Sequence, residues 1–571
     1  MNVDIPKKIL ALKLSLILVS CLCSLLCGCS SSLATPPATT PTPLLPQSRR
    51  MLPQMCPSKF PDGQPVGYWP MNANGFQGVF QFTGQAKSKN AANSNISGAN
   101  LEWSWADIEP TEGVYNWTKV DRDINVWTSR GKQVMLRFAT GGQISWSGSV
   151  DGSYTPPWVF DTYGVPRVTE INGTVFPVYW NPAYLQKLTD FVNAVAARYD
   201  ANPYVAAVQI GIGQGGETEP DGSASQNPHQ LQLWQQYGYT NALWWQTIKR
   251  IVAIYEAAWT HTPLALMTTS TFLRYDDKYY NRARVERYAV QQGLWLQINS
   301  LDDAMPTSLL ANGVNRLTTT VEEQRQSAQD SGYPAIHDVK HGIALGARYV
   351  LIYANDLAGS SNADALVYAK QQIIPPVMQD CTASKLTLSV TGRVTPVPGS
   401  GGQPGAYAQF FDGLTGSASA GRSPLTSVAT WSLGAWLYPT MLPQTGAVAV
   451  MDGAESGGVG FGIAGGAQGG VGSQLVAYFP GVGWVDSGYT FPASRHWYRV
   501  VVTRDGSTVR FYVNGAQTPL TSTLSPSAAA SHFSIGSSFD LSTGTPTHFF
   551  TGAIDDVAVY ASVLSPAQIQ A

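Results

Sequence analysis

The sequence predicts a (β/α)₈ barrel followed by an all-β sandwich, and three observations lead there. Between Gly78 and Ala354 strand-like apolar runs alternate with helix-like stretches, the pattern of a parallel sheet wrapped by helices. From about Ala406 to Ala571 the pattern becomes short alternating strands separated by Gly, Ser and Pro. Third, Val208 to Pro220 (VQIGIGQGGETEP) reads as a short buried strand, Val208 to Ile212, that runs into glycines and presents Glu217. A carboxylate set at the C-terminal mouth of a strand is where such a barrel keeps its chemistry. At 571 residues the chain is too long for one core.

Composition narrows the partners. Charged residues are 13% with a formal net charge of -2, so nothing points to a nucleic-acid or acidic-lipid partner. Aromatics are 11%, including 17 Trp, which suits a secreted protein whose polar, stacking surfaces handle sugars, although aromatic-rich cores give the same count; a monomer is expected.

The N-terminus reads as a targeting segment. Lys7, Lys8 and Lys13 flank and enter an apolar run from Ile9 to Leu26, short for a spanning helix and close to the start. It ends in Leu26-Cys27-Gly28-Cys29, which resembles a bacterial lipobox. The resemblance implies a signal peptide over 1–28, lipidation of Cys29, and a protein anchored in the bacterial cell envelope, facing away from the cytoplasm. Residues 29–55 are rich in Ser, Thr and Pro and read as a disordered tether.

Of six cysteines, Cys21, Cys23 and Cys27 leave with that peptide and Cys29 is the anchor. Cys56 and Cys381 remain and bracket the barrel, assigned to 56–384. A closed barrel brings its first and last strands together, so a Cys56–Cys381 disulfide is expected in an oxidising compartment; two unpaired buried thiols are the alternative.

Eight strands are read in order. They are Gly78–Thr83, Ala99–Trp105, Gln133–Ala139, Val208–Ile212, Leu264–Thr268, Leu294–Asn299, Leu317–Glu322 and Tyr349–Ala354. Between them helices are expected over Thr118–Ser129, from Asn181-Pro182 to about Tyr199, from about Leu231 to Trp259, and over His337–Leu345.

Within this frame WSWADIEPTEGVYNWTKVD, Trp103 to Asp121, resembles the second-strand region of retaining glycoside hydrolases with a (β/α)₈ barrel. Tyr179 to Glu217 resembles the helix and fourth strand of the same enzymes. The resemblance covers roughly Phe60 to Asp380. It implies a general acid/base Glu at the end of strand four and a nucleophilic Glu at the end of strand seven, with no cofactor or metal. One departure stands out: the family usually has Asn before the acid/base, contacting the sugar 2-hydroxyl, and this chain has Gly216.

A retaining glycosidase needs a proton donor and a nucleophile about 5 Å apart. Glu217 fits the first role; a loop carboxylate or helix N-cap partner is its bland alternative. For the second, the two-residue period of a strand turns Thr318, Thr320 and Glu322 toward the barrel axis, which favours Glu322 over Glu323; the acidic first turn of a following helix is the alternative for both. Arg137, at the end of strand three, is a candidate for orienting a carboxylate or binding substrate. Trp103, Trp105, Trp180 and Trp295 fall near expected mouth positions as stacking platforms, although most barrel tryptophans are core. Gln297 and Asn299 are candidates for inward hydrogen bonds. His337 and His341 have helical spacing for a metal pair, but no third ligand is evident.

After Cys381, Lys385 to Tyr407 contains VTPVPGSGGQPGAY, and residues 385–405 read as a linker. Residues 406–571 carry WSLGAWLYP, HWYRVVVTRDGSTVRFYVNG and FFTGAIDDVAVYASVLSPAQIQA, which resemble the concanavalin-like, laminin-G-type jelly roll. Arg504-Asp505-Gly506 and Val513-Asn514-Gly515 supply hairpin turn residues. No E-x-D-x-x-E motif is present, so this domain is expected to bind carbohydrate or act as a spacer. Asp555 and Asp556 are read as hairpin positions rather than calcium ligands.

Overall fold

The computed structural model describes residues 64–70, 76–82, 88–142, 153–170, 173–222, 227–268, 272–273, 280–301, 319–323, 335–344, 347–358, 362–373, 377–399, 407–425, 429–454, 457–480, 482–523 and 532–570. Within these, the side chains of residues 298–301 and 319–323 are outside the description, as are the expected signal peptide, Cys29, the tether and Cys56. Barrel and sandwich belong to one compact unit, Met51–Ala571. Among the described residues no helix is long and apolar enough to cross a membrane.

Eight parallel strands close the barrel. They are β1 (Gly78–Phe82), β2 (Gly98–Ser104), β3 (Gln133–Ala139), β4 (Val205–Gln209), β5 (Leu264–Thr268), β6 (Trp295–Leu301), β7 (Thr319–Glu323) and β8 (Tyr349–Tyr353). Each pairs in parallel with its neighbours, β8 with β1 completing the ring. Of the expected strands, the fourth moves most. β4 ends at Gln209, and just beyond it Gly211 lies so close to β3 that a Cβ there would sit 2.3 Å from the Phe138 carbonyl oxygen.

The helix Pro182–Tyr199 starts as the sequence dictates, with the Asn181 side chain accepting from the Ala183 and Tyr184 N–H groups and Pro182 in the first turn. The single helix expected from Leu231 to Trp259 is two, Pro228–Gln236 and Asn241–Ala258. Gly238, at φ 86°, breaks the first, and Thr240 caps the second by accepting from Leu243 N–H.

The sandwich is larger than the sequence reading allowed. One sheet takes in Val394–Pro398, Tyr407–Asp412, Thr551–Tyr560, Thr430–Pro439, Tyr498–Asp505, Thr508–Val513 and Ala516–Thr523. The other takes in Val377–Gln379, Thr387–Thr391, Ser417–Ala420, Phe533–Ile535, Ala447–Ala454, Gly457–Ala464, Gln474–Phe479 and Gly483–Thr490. Two strands therefore lie inside the stretch expected as a linker, 385–405. The N-terminal segment Gly67–Trp69, assigned to the barrel, is also a sandwich strand, paired antiparallel with Thr551–Tyr560. Its anchor is Trp69, fully buried, stacked on Phe533 at 4.5 Å and donating Nε1–H to the Leu386 carbonyl at 3.0 Å. The chain thus enters and leaves the barrel side by side: Cys381 N–H donates to the Tyr68 carbonyl at 2.8 Å, and Tyr68 N–H donates to Asp380 Oδ1 at 2.9 Å. Cys381 is disulfide-bonded.

The sandwich closes the N-terminal end of the barrel. Phe80, Met135, Trp295 and Tyr349 from the barrel interior share one apolar cluster with Val397, Phe410, Tyr438 and Ala553 of the first sheet. Around it Tyr438 Oη donates to the Gln292 carbonyl (3.0 Å), Thr440 Oγ1 to Thr260 (2.8 Å) and Arg495 Nε to Glu256 (2.9 Å). The sandwich is thus the floor of the barrel, and the opposite, C-terminal end is the mouth.

Candidate active site

The interior of the barrel changes character toward the mouth. Above the aromatic floor, strand register sets Glu102 (β2) beside Arg137 (β3) and Arg137 beside Gln209 (β4). Gln209 Nε2 donates to Gln297 (β6) across the interior. All four side chains are buried. Thr320 on β7 is in register with Gln297, so Glu322 occupies the position two residues nearer the mouth, between Asn299 and Leu351.

Beyond β4 the chain forms a tight loop from Gly211 to Gly222. Its turns close through Gly216 N–H to the Gly213 carbonyl (3.0 Å), Glu217 N–H to Gln214 (3.0 Å) and Gly213 N–H to Glu217 (2.8 Å). Gly215 and Gly216 are left-handed, at φ 58° and 88°. Neighbouring strands hold the loop. Gly215 N–H donates to the Gly141 carbonyl beyond β3 (3.2 Å), and Thr218 N–H to the Met267 carbonyl on β5 (3.1 Å). Glu217 is half-buried on this loop.

The loop also explains Gly216. A Cβ there would lie 2.7 Å from Met267 Cε and 3.4 Å from Arg137 Nε, at a φ that L residues rarely adopt. The Asn common at this position in the glycosidases would be strained in this loop.

Two further acids follow Glu217 at alternate positions. Asp221 is fully buried and accepts from Gln230 Nε2 and Trp234 Nε1, both at 2.9 Å. Glu219 is half-buried; burial, reinforced by the charges of Glu217 and Asp221, pushes its carboxyl up to about 8. Both were missed in the sequence reading, although the spacing E-T-E-P-D is the signal that marks them.

The structure redistributes the remaining candidates. Arg137 is 1% exposed and does not reach the mouth: its Nε donates to the Gly215 carbonyl at 2.7 Å, its Nη2 donates to the same oxygen, and its Nε lies 3.3 Å from Glu102 Oε2. Trp103 and Trp105, expected as stacking platforms, are fully buried behind the strands. Trp103 donates Nε1–H to Asp123 at 3.2 Å and stacks on Phe138; Trp105 stacks on Phe191 at 5.1 Å. Trp295 is also core, stacked on Tyr349 at 5.2 Å in the barrel floor, at the end away from the mouth. Trp180 is half-buried, packed against Trp234 and Tyr239 and donating to the Tyr237 carbonyl at 3.0 Å. Of the four tryptophans it alone keeps a surface beside the loop that carries Asp221. Gln297 points inward as expected, and His337 and His341 lie on the helix Ala335–Ala344.

The W-x-x-x-E-P-x-x-G-x-Y-x-W motif turns out to be a brace. Glu109 accepts from Trp105 Nε1 at 2.7 Å and from Gly113 N–H at 2.8 Å, with the Tyr115 hydroxyl bonded to it as well. Burial raises its carboxyl above the usual range, and these three donors pull it back. Tyr115 stacks on Trp117 at 4.9 Å, fixing the entry to the helix Trp117–Thr128.

Comparison with known proteins agrees with this architecture. A β-galactosidase family model, that of glycoside hydrolase family 42, matches residues 86–256, and a concanavalin A-like lectin/glucanase superfamily model matches residues 412–570. Among solved structures, the catalytic domain of a Paenibacillus polymyxa β-amylase is similar at 10% identity and a TM-score of 0.39, over 53% of this chain and 99% of that one. A β-galactosidase from the psychrophilic Marinomonas ef1 is similar at 14% identity and a TM-score of 0.34, over 52% of this chain and 59% of its own length. Domain 4 of the Geobacillus stearothermophilus arabinanase AbnA is similar at 19% identity and a TM-score of 0.27, over 34% of this chain and 90% of that domain. No curated protein matches. The chain thus joins a glycoside-hydrolase-type barrel to a concanavalin-like sandwich.

Proposed function

We propose that the protein is a retaining glycoside hydrolase acting on an extracellular oligo- or polysaccharide, with β-galactosides the first substrates to try. The observation that carries this reading is Glu217, held at the C-terminal mouth on a loop tied to β3 and β5. A barrel of this type builds its site at that end. In this mechanism Glu322, whose backbone position is one interior layer above Gln297, attacks the anomeric carbon while Glu217 protonates the leaving oxygen. A glycosyl–enzyme ester forms; Glu217 then takes a proton from water, which attacks the same carbon and frees Glu322. Trp180 offers a ring for stacking on a sugar face.

The sandwich binds carbohydrate or serves as a spacer, the protein acts as a monomer, and Cys29 carries the lipid that holds it at the envelope. The disulfide of Cys381 is assigned to Cys56. A second reading, a catalytically silent glycan-binding lipoprotein, is favoured by one observation: Gly216 replaces the Asn that contacts the sugar 2-hydroxyl.

Hydrolysis of aryl glycosides, β-galactosides first, and of plant and microbial polysaccharides separates the two. Activity abolished by both Glu217→Gln and Glu322→Gln establishes the pair, and proton NMR of the first-formed anomer tests retention. Loss with Glu217→Gln and Glu323→Gln but not Glu322→Gln moves the nucleophile to Glu323. Silence across the panel from folded protein leaves the binding reading.

A further inference from the structure

The pair Glu102–Arg137 has a place in the barrel that packing alone does not explain. Below it the interior is filled by Phe80, Met135, Trp295 and Tyr349. At its own level sit a full positive and a full negative charge, each side chain 2% exposed and 3.3 Å apart. Burying such a pair costs desolvation that the mutual attraction barely offsets, and apolar residues of similar volume often serve stability as well or better. Stability is therefore a weak reason for a charge pair in this position.

The directions of the guanidinium bonds supply a better one. Arg137 turns two donors to a single acceptor, the Gly215 carbonyl, with Nε at 2.7 Å. Gly215 is two residues before Glu217, in a segment whose left-handed glycines leave the backbone freer than any other residue type would. The Gly215 N–H is held from the other side by Gly141. Both polar groups of one peptide-bearing residue are thus fixed to β3 and its following loop, so a flexible turn becomes a fixed platform. Glu102 is beside Arg137 in strand register and holds the guanidinium from β2. Gly216 completes the arrangement, because a Cβ would press on Met267 Cε and lie in contact with Arg137 Nε.

We propose that Arg137 is a positioning residue that sets Glu217 through the backbone carbonyl of Gly215, with Glu102 as the counter-charge that holds the guanidinium in place. This rests on the reading of Glu217 as acid/base. The clamp acts on the main chain and not on the Glu217 carboxylate itself. Lys cannot replace Arg here, since an ammonium lacks the planar fork that reaches Gly215 and Glu102 together.

The test uses the full chain with Arg137→Lys, Arg137→Met and Glu102→Gln, read by steady-state kinetics on the best substrate of the panel and by amide hydrogen exchange. Displacing a catalytic group by about 1 Å costs on the order of a hundredfold. We expect kcat to fall ~10–100-fold with KM within about threefold, and exchange to quicken at Gly213 to Glu217 while the strand amides of β3 and β5 stay protected. Unchanged kcat and unchanged loop exchange in Arg137→Met overturn the clamp. So does a fall in kcat with exchange quickened across the whole barrel, which marks a merely structural role. A wild-type chain inactive on every substrate overturns the reading of Glu217 instead, and loop exchange alone then decides whether the clamp exists.

Discussion

Arg393 is the residue on which the union of the two domains most depends. It stands at the foot of the sandwich strand Val394–Pro398, and its side chain, 2% exposed, reaches under the barrel. Nη1 donates to the carbonyls of Asn202 (3.1 Å) and Val205 (2.7 Å) and to Thr262 Oγ1 (3.2 Å). Nη2 donates to the Asp200 carbonyl at 3.3 Å and to that of His261. Nε lies 3.5 Å from Asp412 Oδ2, itself fully buried. Replacing Arg393 with Met keeps much of the volume but strips donors from the turns that feed β4 and β5. The loss of one partner from a buried ion pair costs ~3–5 kcal/mol. Asp412 retains its bonds from Leu414, Thr415 and Gly416 N–H, so the lower half of that range applies. With an unfolding entropy of ~2.1 cal/mol/K per residue over roughly 500 residues, about 1 kcal/mol/K in all, the melting temperature should fall by about 3–4 °C if both domains unfold together. Calorimetry of the full chain reads both the shift and the number of transitions. Arg393→Lys should fall between wild type and Arg393→Met. A single transition within about 1 °C of wild type for Arg393→Met would refute the idea that this side chain joins the domains.

Other expectations follow from the same geometry. Gly216→Asn should lower stability by ~1–3 kcal/mol without raising activity, because of the left-handed φ and the Met267 contact; adding Met267→Ala should recover part of the loss, and equal melting temperatures for wild type and Gly216→Asn would dispose of the account. Burial pushes Asp452 up to about 7 from its ordinary 3.8, with Ser423 pulling back slightly. The folded state therefore binds the proton more tightly than the unfolded chain, and stability from this group is lost as pH rises from 3.8 to about 7. Asp452→Asn should remove that slope and raise the stability at pH 8 by up to ~4 kcal/mol; an unchanged pH–stability curve would contradict it. Burial likewise pushes Glu219 up to about 8, so stability from this group is lost as pH rises from its ordinary 4.5 to about 8; Glu219→Gln should raise the melting temperature at pH 9, and an unchanged value there would contradict it. Intact mass with and without reductant, after peptide mapping, should show Cys381 joined to Cys56; a different partner would displace the pairing.

The barrel was legible because its strands are continuous apolar runs with clear ends. Gln133–Ala139 and Leu264–Thr268 come out residue for residue. The limits of the sandwich were not, since Gly67–Trp69 and Val377–Gln379 are strands of only three residues, and the partner of the first, Thr551–Tyr560, lies at the far end of the chain. Nothing local tells such a segment whether it opens a barrel or closes a sheet. VTPVP misled for another reason: its prolines read as linker, yet Val394–Pro398 accommodates both as the end strand of its sheet, where a missing N–H costs least.

The site shows how residue type and spacing can be read correctly while role is assigned wrongly. Glu217 was singled out because a carboxylate follows a strand and three glycines, and the structure places it on the loop beyond β4. Trp103 and Trp105 do not reach the mouth because they pack behind the strands, and Arg137 does not bind there because alternation along a strand gives the side a residue faces but not the depth at which it lies. Trp103 faces the helices, where Asp123 takes its N–H, and Arg137 faces the axis but ends on a backbone carbonyl beneath the mouth. Glu109 carries the same lesson within a motif. Its carboxylate is consumed by Trp105, Gly113 and Tyr115, so the residue most conspicuous beside Pro110 braces the second loop. Glu217 differs from it in being held through its main chain, by the Gly213 and Gln214 bonds that close its loop.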